Sequence, residues 1–191
     1  TADNGASRYA SGSAVRHGHK PNGTLRGAKT DIWEGGHRVP FLVTWPKKIE
    51  GGGTNKEVFC TTDLMATCAD ILGKKLPENI GEDSCSMLSA FEGKPSTQDR
   101  KGIIHHSGKG AFAIRSGKWK YIVSSERPKK GEEMIKGQLY DMNSDMEETQ
   151  NLALKHPDVV KQLDTTLREI VANGRSTSGT TLENDVTVRV R

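Results

Sequence analysis

The sequence predicts an α/β layer followed by a small α+β subdomain, and three observations carry that prediction. A short apolar run rich in β-formers, Val39-Pro40-Phe41-Leu42-Val43-Thr44-Trp45, precedes an amphipathic segment between Thr62 and Leu72. Three β-like segments at hairpin spacing begin near Gly102, and a fourth begins at Gln138. A long helical pattern then places Val160, Leu163, Leu167, Ile170 and Val171 on one face.

Each element has a local reason. Residues 1 to about 24 are dominated by Gly, Ser, Arg and His without an apolar period, and read as loop. The run from Val39 to Trp45, bounded by Gly35-Gly36 and Pro46, reads as a buried strand. Lys47 to Lys56, with three consecutive glycines, is an exposed turn. Thr62-Asp63 then cap Leu64, Met65, Cys68, Ile71 and Leu72, apolar at spacings of three and four, and Gly73 stops that covering helix. In the second region Gly102–His106, Ala111–Arg115 and Lys118–Val123 are separated by Gly108–Gly110 and by Ser116-Gly117. Gln138–Met142 supplies the fourth strand, and Asn143 to Leu154 is an acidic turn. Pro157 opens the last helix, which ends at Asn173-Gly174. The polar, Thr-rich tail to Arg191 is expected to wrap the surface. The organisation that follows is 1–99 for the α/β part, 100–175 for the α+β subdomain and 176–191 for the tail.

Composition narrows the function. With 33% hydrophobic residues, 21 glycines and a mean hydropathy of -0.64, the 191-residue chain suits a layer of a larger structure better than a self-sufficient core. The 28 basic and 24 acidic residues are interspersed, so the net charge of +4 is only a weak argument for nucleic-acid binding; a mixed solvated surface is the reading, and no nucleic-acid partner is expected. No apolar run approaches the ~20 residues that span a bilayer, which argues against a membrane partner. Three cysteines without CxxC spacing argue against zinc. They allow one disulfide with a free thiol, or three buried thiols.

The chemistry-bearing residues lie in two segments. Asp3-Asn4-Gly5 offers hard oxygen donors at a chain reversal, which suits a divalent cation. Lys29, in Leu25-Arg26-Gly27-Ala28-Lys29-Thr30, adds a compact positive charge for an anionic group. Glu34-Gly35-Gly36-His37-Arg38-Val39-Pro40 follows, and Glu34 and Arg38 stand four apart, placed to pair across the glycines. Arg26 and Arg38 are read as structural, and Trp33, Trp45 and Trp119 as packing residues.

Together these segments resemble the formylglycine-dependent sulfatases of the alkaline phosphatase superfamily, specifically the arylsulfatase-like branch, in the C-terminal part of the catalytic domain. The resemblance extends through Trp45-Pro46, the Gly-Lys-Trp-Lys strand, Leu139-Tyr140-Asp141 and Asn151-Leu152-Ala153 to Gly174-Arg175-Ser176-Thr177. It implies an alkaline-phosphatase-like α/β sandwich continued by a four-stranded antiparallel sheet with a long helix. It implies Asp3 and Asn4 as ligands of calcium, with magnesium as the alternative, and Lys29 as the catalytic sulfate contact. His19, His105 and His106 are substrate-contacting candidates, because histidine titrates near neutrality and donates to sulfate or sugar oxygens. Adjacent histidines on a strand point to opposite faces, so at most one of His105 and His106 faces a pocket.

The family's nucleophile is a formylglycine made in a Cys/Ser-x-Pro-x-Arg motif, and no proline of this chain has Cys or Ser two positions before it. The resemblance therefore implies a C-terminal fragment that is inactive alone and works with an N-terminal half bearing the nucleophile. The expected substrate is a sulfated small molecule or glycan. The family also implies a periplasmic, secreted or lysosomal setting. Two other readings remain at this point: a related phosphodiesterase or phosphonate hydrolase, and a non-catalytic module that binds sulfated glycans.

Overall fold

The computed structural model describes residues 1–96, 99–123 and 137–190. In chain order the elements are α1 (Arg8–Arg16), α2 (Glu34–His37), a 3-10 turn (Thr61–Asp63), α3 (Leu64–Ile71), α4 (Leu88–Phe91), β1 (Ile103–His106), β2 (Phe112–Ser116), β3 (Trp119–Ile122), β4 (Gln138–Asp141) and α5 (Pro157–Asn173). They fall into two compact units, the first built mainly from Thr1–Phe41 and Ile104–Arg168, the second from Leu42–Ile103 and Glu169–Val188.

The first unit is organised on the sheet, whose strand order β1-β2-β3-β4 is that of a meander. Ser116 pairs with Trp119 and Ala113 with Ile122 across β2 and β3, and Lys120 pairs with Tyr140 across β3 and β4. Gly117 has φ +53° in the tight β2–β3 connection, a region that favours glycine. One sheet face carries Ala113, Ile122 and Tyr140, which pack with Ile32 and Met142 and are flanked by Trp33. The segment 26–38 therefore lies on the sheet and contributes to its core. Asn151 pins the chain after β4, with Oδ1 accepting from Leu139 N–H at 3.0 Å and Nδ2 donating to Gly137 O at 3.3 Å. Helix α5 starts at Pro157 and stops at Asn173, before Gly174 at φ +63°, as the capping signals predict.

In the second unit Asp63 is the organising residue. Fully buried, it pairs with Arg100 at 2.6 and 2.8 Å and accepts the Cys60 and Cys85 N–H groups, each at 2.9 Å. Thr67 Oγ1 donates to Asp63 O and accepts from Met87 N–H, which ties α3 to the segment before α4. The tail is held by Arg175 on Glu78 O and Thr180 O, by Ser176 N–H on Asp83 and by Thr177 on Glu82 O.

Four expectations are corrected. Residues 1–24 are not all loop, because α1 forms although Tyr9 and Val15 are exposed, so its sequence carries no apolar period to reveal it. Val39–Trp45 is not a buried strand: Leu42 is 81% exposed and no described segment pairs with this run, and a strand exists only through its ladder. Helix α3 is where Thr62–Leu72 predicts it, yet Leu64, Met65, Cys68, Ile71 and Leu72 are exposed while Asp63 and Thr67 are buried. Polar anchoring, not apolar burial, orients this helix. The cysteines are three free thiols with Cys68 exposed, so neither expected arrangement holds. Burial raises the pKa of Cys60 and Cys85.

Candidate active-site turn

All the candidate residues lie in the first unit. Asp3, Asn4 and Gly5 form a bend at the start of the chain. Gly5 N–H donates to Gly36 O at 3.0 Å, and Lys29 N–H donates to Ala6 O at 3.0 Å. The two segments singled out in the sequence thus meet through their backbones. Glycine is required at this crossing, since a Cβ on Gly5 would stand 1.9 Å from Gly35 O and one on Gly35 would stand 2.4 Å from Gly27 O.

The donor set has oxygens to spare. Among the described residues the Asp3 carboxylate takes no hydrogen bond or ion pair, and Asn4 spends its Nδ2 on Gly5 O, leaving its Oδ1 unengaged. A carboxylate and an amide oxygen at a bend fit part of a hard-cation shell, which takes six or more oxygens for calcium. No group of three or more His, Cys, Asp or Glu side chains able to hold a metal occurs among the described residues. Two oxygens alone are fewer than such a shell takes.

Lys29 is exposed, and its neighbouring acid is occupied elsewhere. Asp31 binds Arg8 at 2.6 and 2.8 Å and accepts the Ala28 N–H at 2.9 Å. Between them Thr30 has φ +78°, a left-handed conformation that a β-branched residue adopts only under constraint. Gly108 N–H donating to Thr30 O at 2.9 Å is part of that constraint. The turn presenting Lys29 is thus fixed on both sides, and its ammonium makes no hydrogen bond or ion pair among the described residues.

Beneath the turn lies a buried ion cluster that sequence reasoning missed. Lys120, fully buried on β3, places Nζ 2.9 Å from Glu34 Oε1 and 2.8 Å from Glu148 Oε1. Arg38 binds Glu34 Oε2 at 3.1 Å, which is the pairing the i,i+4 spacing predicts, and His37 Nε2 lies 3.3 Å from Oε1. Glu148 Oε2 accepts the Glu34 N–H at 2.6 Å. Burial acts to raise the Glu34 pKa, and the bonds to His37 and Lys120 overcome it and hold the carboxyl well below its usual range. Glu148 is raised, because burial outweighs Lys120 there. The one available signal was Lys120 in an otherwise apolar strand, facing the same side as Ile122.

The histidines separate. His105 stacks on His37 with centroids 4.1 Å apart, and burial, with His37 and Lys120 close by, pushes its pKa well below 6.5, so it is neutral. His106 is exposed, edge-on to Phe112 at 4.7 Å. His19 is exposed after α1 and makes no side-chain hydrogen bond or ion pair among the described residues. Arg26 lies 4.0 Å over the Trp33 ring and donates to Tyr140 Oη and Glu148 O, each at 3.1 Å, a structural role. Trp33 Nε1 donates to Gln138 at 3.2 Å.

Known proteins resemble this chain in sequence and in fold. The family described as N-sulphoglucosamine sulphohydrolase, C-terminal, matches residues 28–173. N-acetylgalactosamine-6-O-sulfatase of Bacteroides thetaiotaomicron is 36% identical over 163 residues, covering 81% of this chain and 31% of that protein. Steryl-sulfatase of Homo sapiens is 33% identical over 116 residues, 60% of this chain and 20% of its own length. A solved Bacteroides thetaiotaomicron structure, from work on the metabolism of multiple glycosaminoglycans, has a TM-score of 0.69 at 35% identity, covering 81% of this chain and 33% of its own. Ps i-CgsB in complex with k-i-k-neocarrahexaose shares the fold, with a TM-score of 0.70 at 23% identity over 94% of this chain and 37% of that one. The chain spans less than a third of the length of the curated relatives described. Because the matched region holds both the Lys29 turn and the ion cluster beneath it, and covers most of the sequence, the chain belongs to the sulfatase family, in its C-terminal part.

Proposed function

We propose that this chain supplies the C-terminal part of an enzyme that hydrolyses sulfate esters. The observation that carries the reading is the Lys29 N–H to Ala6 O bond, which joins the lysine turn to the bend holding Asp3 and Asn4. In this reading Asp3 and Asn4 contribute two oxygens to a calcium site, with magnesium as the alternative, and other ligands complete it. The cation, when bound, draws electron density from the sulfate oxygens. Lys29 contacts the sulfo group and offsets charge that builds on its oxygens during transfer. The Asp31–Arg8 pair leaves the ammonium free for that task, and Thr30 fixes the backbone that carries it.

The nucleophile is a formylglycine in the remainder of the enzyme, and covalent catalysis there divides a hard displacement into two steps. His19 and one of His105 and His106 are assigned to substrate contacts, with half-buried, neutral His105 acting through one ring nitrogen. The substrate is a sulfated small molecule or glycan, in line with the glycan-related relatives. A catalytic part over 1–99, a subdomain over 100–175 and a tail over 176–191 are the proposed functional divisions. A periplasmic, secreted or lysosomal setting accompanies the reading. Among the described residues no helix is long and apolar enough to cross a membrane.

The test uses the full-length gene product and an aryl sulfate. Lys29→Ala is expected to lower kcat/KM by 10²-fold or more, in the range of losing one charge-stabilising donor. Asp3→Ala is expected to weaken calcium binding measured by calorimetry. The isolated 191 residues should show no turnover. Unchanged kcat/KM in Lys29→Ala, or hydrolysis by the isolated chain, overturns the assignment.

A further inference from the structure

We propose that Lys120 is a positioning residue whose buried ammonium, shared between Glu34 and Glu148, fixes the α2 turn to which the Asp3-Asn4-Gly5 bend is bonded. What the bend does rests on the sulfatase reading above; the linkage rests on contacts in this chain.

The path is continuous. Lys120 Nζ holds Glu34 at 2.9 Å and Glu148 at 2.8 Å. Glu148 in turn caps the α2 N–H of Glu34 at 2.6 Å and receives Arg26 on its carbonyl at 3.1 Å. Arg26 O accepts Gly35 N–H at 2.7 Å, Gly36 O accepts Gly5 N–H, and Ala6 O accepts Lys29 N–H. The Gly36–Gly5 crossing, which carries the Asp3-Asn4-Gly5 bend, thus traces back to one side chain of β3, while Asn22 Oδ1, accepting the Ala6 N–H at 2.9 Å, and Gly108 N–H on Thr30 O hold the neighbouring turn from other sides. Glu148 itself sits fully buried at φ +55°, a conformation tolerated only where its surroundings dictate it.

Burial alone would favour an apolar residue at position 120. A lysine there carries a desolvation cost of several kcal/mol, which its carboxylate partners must offset. Leu or Met would fill the strand yet leave two carboxylates facing each other and the turn without its anchor. The titratable and charged groups around the ammonium are Glu34 and His37 from α2, Arg38 just after it, Glu148 from its loop, Arg115 from β2 and His105 from β1. Arg115 Nη1 is buried and has no hydrogen-bond partner among the described residues, so it does not substitute for Lys120.

The test compares amide hydrogen exchange of Gly5 and Lys29 with that of Val123, whose N–H bonds Phe112 O at 2.8 Å. Lys120→Met is expected to raise the ratio about tenfold or more, since a lost buried partner opens the local structure first. The effect should be larger at pH 8 than at pH 5.5, where the facing carboxylates share a proton. Leu167→Ala, a core truncation in α5, should leave the ratio unchanged. Should Lys120→Met fail to fold, Glu148→Gln takes its place, with a smaller rise expected. An unchanged ratio in both variants, or an equal rise in Leu167→Ala, overturns the proposal. In the full-length gene product, Lys120→Met should lower kcat on an aryl sulfate with KM within about twofold, the pattern of an interaction realised in the transition state. Unchanged kcat despite a raised ratio also overturns it. If the wild-type product hydrolyses no sulfate ester, the sulfatase reading fails, while the exchange ratio still decides what Lys120 does.

Discussion

Lys120 and Arg100 illustrate what a buried cation requires, namely carboxylates in contact and no unpaired charge left over. Arg100, with only 4% of its side chain exposed, meets Asp63 bidentately, and Asp63 spends its remaining capacity on two backbone N–H groups. Burial acts to lower the Arg100 pKa, and the bonds to Asp63 reverse that and raise it. Arg100→Met strands a buried carboxylate and should cost ~3–5 kcal/mol, read by urea unfolding; a change below ~1 kcal/mol would show that solvent reaches Asp63. His105 works in the opposite sense, as a half-buried group kept neutral by desolvation of its ring and by His37 and Lys120 nearby. Its folded pKa lies below the unfolded value near 6.5, so its contribution is complete above that pH and is lost as pH falls and the unfolded chain takes up the proton. The melting temperature should therefore drop between about pH 7 and 5, and His105→Gln should flatten that slope. A slope unchanged by the substitution would place the titration elsewhere.

At the scale of elements, glycine geometry decides whether the turn can exist. A methyl group on Gly35 would press on the Arg26 and Gly27 carbonyl oxygens at 2.6 and 2.4 Å, both backbone atoms without freedom to swing away. Gly35→Ala is expected to destabilise the first unit by ~2 kcal/mol or more through forced backbone displacement. Calorimetry of that variant beside Gly51→Ala, where a Cβ meets nothing within 4 Å, supplies the comparison. The sequence revealed the elements whose signals are local. The four strands, the β2–β3 turn at Gly117 and both ends of α5 follow from alternation, turn residues and caps. The meeting of the Asp3 and Lys29 segments was legible only through resemblance, since no periodicity brings residues so far apart together. The Lys120 cluster was hidden because a lysine at an inward strand position looks like a register slip until Glu34 and Glu148 are seen on either side. The outward stripe of α3 was misread for a similar reason. Periodicity locates an apolar face but does not say which face the surroundings anchor, and here Asp63 and Thr67 anchor the polar one.

At the scale of the molecule, that stripe is the feature most in need of a solvent-free setting. Leu64, Met65 and Ile71 on this short helix, and Leu72 capping its end, are 37%, 48%, 42% and 71% exposed. Scattered apolar residues are ordinary on a surface, whereas a contiguous set at helical spacing marks a contact region. The curated relatives run to more than three times the length of the segments matched here, which leaves room for further chain to cover such a face. The purified 191 residues should therefore self-associate, as seen by light scattering over a concentration series. Met65→Lys with Leu72→Lys should abolish that association while changing stability by no more than ~0.5 kcal/mol per site, since neither side chain is buried. In the full-length gene product the same pair should instead lower the yield of folded enzyme, because two ammonium groups would be forced into an apolar contact. Tolerance of both lysines there, with activity and melting temperature intact, would mean that α3 faces water in the complete protein.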